Sequence, residues 1–124
     1  MPSLQYISYP DATTINSIID SSSSKLNTIV SLPSAVTITS IVTGYKKCDI
    51  GEDVTTLKFG GSNTDGVLIV RSTHPENITF TGFTNQPKST FKMYVPDASV
   101  SDYKSYITSA GAASGYTNKV YSLT

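Results

Sequence analysis

Short runs of β-branched and apolar residues, each closed by a turn residue and recurring every ten or so positions, constrain this chain more than any other feature. In LNTIVSLPSAVTITSIVTG, Val36, Ile38 and Ser40 alternate with Thr37, Thr39 and Ile41 between Pro33 and Gly44, which predicts strands over about 26–31 and 36–42. Further strands are predicted at 54–59, 67–71, 78–81 and 91–95, separated by Gly60-Gly61, Asp65-Gly66 and the His74-Pro75 loop. Strands at such spacing stack as a sandwich, a barrel or a solenoid of repeated turns.

Two stretches carry the helical period instead. Ile15, Ile18 and Ile19 have i, i+3, i+4 spacing after Asp11, which is consistent with a short helix capped by Asp11 or with a strand that ends in the serine loop Ser21 to Ser24. Val100, Tyr103, Tyr106 and Ile107 predict a better helix over 97–108, with Asp97 as its cap and Gly111 to Gly115 as the break behind it. The tail YTNKVYSLT reads as a last extended piece packed by Val120, Tyr121 and Leu123.

The 124 residues fit one domain, which buries roughly two-thirds of the surface of its unfolded chain. Nine Lys and Arg balance nine Asp and Glu, so no overall field attracts phosphate backbones, and nucleic acid is not an expected partner. Charged residues are 15% of the chain against the usual quarter or so, and Ser and Thr take their place, as on secreted or virion β proteins. Cys48 is the single cysteine, which rules out an intrachain disulfide and any multi-cysteine metal motif. No signal peptide is visible, and no apolar run approaches the ~18 residues of a membrane span. The expected location is a virion or an extracellular surface, reached by lysis or after removal of a signal.

The segment FKMYVPDASVSDYKSYITSAGAASGYTNKVYSL resembles the terminal cap of BspA-like leucine-rich repeat proteins, found among Bacteroidetes surface proteins and gut-phage structural and tail proteins. The residues that carry the likeness are Tyr94, Val95, Pro96, Ala98, Ser99, Val100, Tyr103 and Lys104. LIVRSTHPENITFTGF is similar to the strand, proline loop and apolar stretch before that cap, and LNTIVSLPSAVTITSI with GYKKCDI is similar to one degenerate repeat. The resemblance implies surface attachment or interaction rather than catalysis, and an inward-packed Cys48. A repeat array needs about three units to close a core, and at most one or two can be argued from the sequence, so a cap joined to a different N-terminal part is expected.

Residues that could carry chemistry do not converge. His74 is the single histidine, it lies beside Pro75 in a predicted surface loop, and no Gly-x-Ser-x-Gly elbow surrounds any serine. Asp49, Gly51, Glu52 and Asp53 offer oxygens for Ca²⁺ but lack the spacing of a calcium loop, so a solvated acidic turn is the reading adopted. Asp97 and Asp102 fall on different helix faces, so they do not form a glycosidase pair. Asn77-Ile78-Thr79 fits the glycosylation sequon by accident, and the Gly60-Gly61 and Asp65-Gly66 pairs lack the Lys and helix of a phosphate loop. Neither a catalytic residue, nor a cofactor, nor a metal is predicted.

Tyrosine, present eight times beside no Trp, is amphipathic and loses little entropy on ordering, which suits interfaces and sugar stacking. Tyr94, Tyr103 and Tyr106 are assigned to packing, and Tyr6, Tyr9 and Tyr45 are the expected contact residues.

The fold expected is mainly β with one or two short helices, an α+β module of short leucine-rich-repeat-like or small sandwich-like form, closed by a C-terminal strand-helix-strand cap. One domain spans 1–124, with 1–60 as a docking part and 61–124 as the cap-like part. The function expected is a non-enzymatic structural, assembly or attachment protein, a capsid-decorating, fibre or tail component of a phage virion, with a receptor- or glycan-binding module as the alternative. Its partners would be copies of itself, other virion or surface proteins, or a host-surface glycan, without membrane insertion. Self-association is expected through the apolar runs Leu26 to Leu32 and Val36 to Val42, which carry few charges to protect an edge.

Overall fold

The structure, a computed structural model, describes residues 5–15, 28–38, 47–58, 67–81, 91–110 and 114–123. Because successive side chains of a strand point to opposite faces, a run such as Lys47-Cys48-Asp49-Ile50 commits Cys48 and Ile50 to one side and Lys47 and Asp49 to the other. Burial follows that alternation: Cys48 and Ile50 are buried, Asp49 is half-buried and Lys47 is exposed.

Among the described residues, ten strands build two sheets in which every neighbouring pair is parallel. β1 (Gln5–Ser8), β3 (Thr28–Leu32), β5 (Lys47–Ile50), β7 (Val67–Val70), β9 (Lys92–Val95) and β10 (Val120–Ser122) form one sheet in that order. β2 (Thr14–Ile15), β4 (Thr37–Ile38), β6 (Thr56–Lys58) and β8 (Thr79–Thr81) form the other. The chain alternates between the sheets, so each turn of chain lies on the one before it. Of the three architectures that fit the strand spacing, this is the solenoid.

The core lies between the sheets and is built from in-register rows. Val30, Cys48, Leu68, Met93 and Val120 form one buried row of the six-stranded sheet, and Leu32, Ile50 and Val70 form a second. Ile15, Ile38, Leu57 and Phe80 face them from the four-stranded sheet. Each fully buried aliphatic side chain of this kind contributes roughly 1.5–3 kcal/mol through area removed from water. Outside the Ile15 row stands its complement, Thr14, Thr37, Thr56 and Thr79, each one residue earlier and more exposed.

The corners between the sheets repeat as well. Ala35 and Val54, each two residues before a strand of the four-stranded sheet, turn inward and are buried. The backbone N–H groups of Val36 and Thr37 both donate to the Thr13 carbonyl, and those of Thr55 and Thr56 both donate to Val36, one turn further along. Gly51 sits where one corner stacks on another: a Cβ there would lie 1.9 Å from the Pro33 carbonyl oxygen. Only a residue without Cβ allows that approach.

After β9 the alternation stops. Pro96 and a 3-10 turn, Asp97–Ser99, lead into helix α1 (Val100–Ser109) in place of another strand of the four-stranded sheet. The helix inserts Tyr103 and Ile107 into the core, and the Tyr103 ring meets Phe80 edge-on at 6.2 Å. Its hydroxyl donates 2.7 Å to the carbonyl of Ser72, so the polar tip of a buried ring is satisfied. The chain then returns through a 3-10 segment, Ser114–Lys119, to β10 beside β9, completing the strand-helix-strand cap.

Several expectations change. The region after Asp11 is turn followed by β2, not the first turn of a helix, and residues 16–20 lie outside the described segments. Asp97 does not occupy the cap position of α1: Ser99 does, without a side-chain cap bond, while Asp97 accepts a hydrogen bond from the Ser122 hydroxyl. Tyr106 and Tyr121, expected to pack, are exposed, because 3.6-residue spacing puts Tyr106 beside the buried stripe and pleating turns Tyr121 away from Val120. Among the described residues the parallel strands stack from β1 to β10, beyond the one or two repeats argued from sequence. Within the runs assigned to a docking edge the described strands are interior: β3 lies between β1 and β5, and β4 between β2 and β6. Ile38 is fully buried, so Ile38→Lys would place an ammonium in the core rather than at an interface, and Ile41 lies outside the described residues.

Removing only the Tyr103 hydroxyl leaves the Ser72 carbonyl without its donor, whereas removing the ring opens a cavity. Tyr103→Phe is expected to lower unfolding free energy by about 1–2 kcal/mol and Tyr103→Ala by roughly 3–5 kcal/mol, measured from urea midpoints. Near-equal losses would show that the ring does not seal the core.

Candidate contact surface

The outward side of the six-stranded sheet follows from the same alternation that fills the core. One register row runs Ser8, Ser31, Asp49, Ile69, Tyr94 and Tyr121 across the six strands. The next row, two residues nearer the strand starts, holds Ile29, Lys47, Val67 and Lys92. These side chains stand on a rigid ladder, with strands about 4.8 Å apart, so their mutual spacing is fixed by backbone hydrogen bonds.

Within the first row, Tyr94 and Tyr121 are neighbours with ring centroids 5.8 Å apart and a tilt of 37°. Tyr121 is 41% exposed and Tyr94 is half-buried, so the pair presents aromatic surface to solvent. Ile69, beside Tyr94 in the row, is buried yet stands outside the core cluster, as an outward residue between taller neighbours must. Arg71 reaches back to Asp49 in a two-bonded pair, Nε to Oδ1 at 2.7 Å and Nη2 to Oδ2 at 2.9 Å. The hydrogen bond to Asp49 raises the guanidinium pKa further, with partial burial opposing it. Elsewhere on the face Ile29, Val67 and Ser31 are half-buried and Ser8, Lys47 and Lys92 are exposed.

Of the contact residues expected from sequence, Tyr6 takes a place on this face, in β1 and in register with Ile29 of the second row, Tyr9 is half-buried against the core at the first corner, and Tyr45 lies outside the described residues. Tyr94 and Tyr121, assigned to packing from the sequence, stand on the face as well. The signal for them was present in the strand Lys92-Met93-Tyr94-Val95, whose period of two sends Met93 and Val95 inward and therefore Tyr94 outward.

The groups with chemical potential are dispersed. Asp49 is held by Arg71, while Glu52 and Asp53 are exposed in the turn beyond β5, so the acidic stretch does not close on a cation. Among the described residues, no three His, Cys, Asp or Glu side chains stand together in a metal-binding arrangement. His74 Nδ1 and Glu76 Oε2 are 3.1 Å apart on an exposed corner, and hydrogen bonds from its own backbone N–H and from His74 lower the Glu76 pKa. Among the described residues, no helix is long and apolar enough to cross a membrane.

No family model, curated protein or solved structure matches the chain. The likeness to a BspA-like repeat cap therefore rests on the residues of 91–123 themselves.

Cys48 provides a direct check that the inward rows are dry. Burial, and next the charge of Asp49, push its thiol pKa up to about 12. The unfolded thiol ionises near pH 9 and the folded one near pH 12, so below pH 9 both are protonated and the full contribution is present. Above it the unfolded state loses its proton first, and stability falls by about 1.4 kcal/mol per pH unit until the folded pKa is reached. Cys48→Ala is expected to remove this part of the alkaline loss, read from urea midpoints between about pH 8 and 11, and the native thiol should resist a disulfide reagent that titrates it at once in guanidinium.

Proposed function

We propose that this chain is a non-enzymatic structural part of a larger assembly, a virion component of the capsid-decorating, fibre or tail kind, working through protein–protein contacts on the outer face of its six-stranded sheet. The observation that carries this reading is the row Asp49, Ile69, Tyr94 and Tyr121 with Lys47, Val67 and Lys92 beside it. Tyr94 and Tyr121 at the β9–β10 end of the sheet, Ile69 and Val67 beside them, Arg71 past the end of β7 and lysines at the strand starts make the aromatic, Arg and apolar composition of a protein contact patch. A stacked-turn scaffold suits such a role, since its surface residues are positioned without being needed by the core. The low charge and hydroxyl-rich composition support a place on a particle or cell surface.

A second reading, receptor or glycan attachment, is favoured by the exposed Tyr94–Tyr121 pair, whose rings offer a stacking surface to a sugar. Antibodies raised against the chain are expected to label particles released by the producing cells, and a glycan array to stay silent with the purified protein. Array signal abolished by Tyr121→Ala would favour attachment. Turnover in an esterase and glycosidase panel, abolished by His74→Ala, would refute the non-enzymatic reading altogether.

A further inference from the structure

The chain is neutral as a whole, but its described charges are sorted across the face. Lys47 and Lys92 are the first residues of β5 and β9, both exposed on the outward side at the starts of the strands. Past the strand ends lie Asp11 in the turn after β1, Glu52 and Asp53 after β5, and Glu76 after β7, all exposed. The corner hydrogen bonds Ser34 Oγ to the Pro10 carbonyl, Gly51 N–H to Leu32 and Arg71 N–H to Ile50 stack those turns, so the acids line one ridge. Among the described residues neither Lys47 nor Lys92 makes an ion pair, and the cation at the acidic side, Arg71, is engaged by Asp49. Val67 stands at the basic margin between the two lysines, and between that margin and the acidic ridge lies the row Asp49, Ile69, Tyr94 and Tyr121.

We infer that this face is self-complementary and that its occupant is a second copy of the chain, packed face to face with its strands antiparallel. This rests on the reading of the face as a contact surface and names its partner. A two-fold axis lying in the interface and running across the strands places β5 over β5 and β9 over β9 of the second copy. Reversing strand direction then sets Lys47 of each copy over Glu52 and Asp53 of the other, and brings Lys92 to the turn that begins at Asp97. The row Asp49, Ile69, Tyr94 and Tyr121 falls near the axis, where each residue meets its own copy, as an isologous contact requires, with each Asp49 carboxylate paired to Arg71 of its own chain. Sheets packed in this way lie about 10 Å apart, within reach of a lysine from one side and a carboxylate from the other. The face measures roughly 24 Å across six strands and about 13 Å along them, on the order of 300 Å² per copy before the corners are counted, which is below a standard interface and fits a weak dimer. Apolar and tyrosine burial would supply most of the affinity, and the charges would set the orientation.

The test is the mass of the full chain in solution, by sedimentation from about 1 to 100 µM, for wild type, Lys47→Glu, and the double variant Glu52→Lys/Asp53→Lys. All these positions are exposed, so circular dichroism melts should coincide. Wild type is expected to be a dimer that weakens in about 1 M salt, and each variant alone should dissociate at least tenfold more readily, because like charges then face each other. Mixing the two variants one to one should restore the dimer. In the mixed pair the carboxylate introduced by Lys47→Glu faces the two ammonium groups introduced in its partner, and the partner's unchanged lysine faces the unchanged acids of the first chain. A monomeric wild type, variants that dimerise as wild type does, or a mixture that stays monomeric would each overturn the second-copy partner. If wild type is monomeric but Tyr94→Ala/Tyr121→Ala still prevents particle labelling, the contact-face reading survives and its partner is a different protein; if that variant labels particles normally, both fail.

Discussion

Parallel register between successive turns is the constraint from which the rest of this structure follows. In a ladder with period two, a slip of one residue would exchange Cys48 and Ile50 for Lys47 and Asp49 on the inward side, burying two charges and exposing two core residues. The rows on both sides of the core oppose such a slip together, since each inward residue of β5 is flanked by inward residues of β3 and β7. The corners add a second lock. Gly51 under the Pro33 carbonyl, and the paired N–H donors converging on Thr13 and Val36, hold one turn at a fixed offset from the next even where the strand itself is two residues long.

A ladder that can add turns also needs a way to end, and here the ending is a change of secondary structure. Pro96 supplies no N–H and a fixed φ, which favours leaving the sheet after Val95. Helix α1 then covers with Tyr103 and Ile107 what the next strand would have covered, and the Tyr103 hydroxyl reaches the Ser72 carbonyl on the preceding turn. One side chain thereby closes both the apolar layer and a backbone acceptor. Val120 of β10 extends the inward row past Met93, so the six-stranded sheet continues for one strand beyond the point where the helix replaces its partner.

Much of this was legible from residue pattern. The strands at 67–71 and 91–95 match within a residue and the helix over 97–108 within three, its first three residues being a 3-10 turn, because β-branched runs between turn residues and a helical stripe after a proline are strong local signals. Parallel stacking of all the described strands is not legible from local pattern, although Thr14-Ile15, Thr37-Ile38, Thr56-Leu57 and Thr79-Phe80 recur about every 20 residues. Two-residue strands have no periodicity of their own, and their meaning appears only once they are set in register. The same gap explains the face. Local pattern says that Tyr94 alternates with Met93, but whether the outward side is covered depends on what packs there. Likewise the bare appearance of Val36 to Val42 suggested an edge, when its described part is covered by the turns before and after it.

Zero net charge excludes a long-range field, yet it leaves open how charge is arranged at the scale of a contact. At physiological ionic strength exposed charges interact over about 8 Å, less than the ~13 Å between the starts and ends of the strands in this sheet. Lys47 and the Glu52–Asp53 turn are therefore nearly independent within one chain and act separately on whatever approaches each margin. A chain of even composition can in this way be neutral in solution and polar in contact. The parallel ladder makes such sorting possible, because every turn delivers its strand starts to one margin and its corners to the other, and a charge placed at the same point of successive turns stays on the same side.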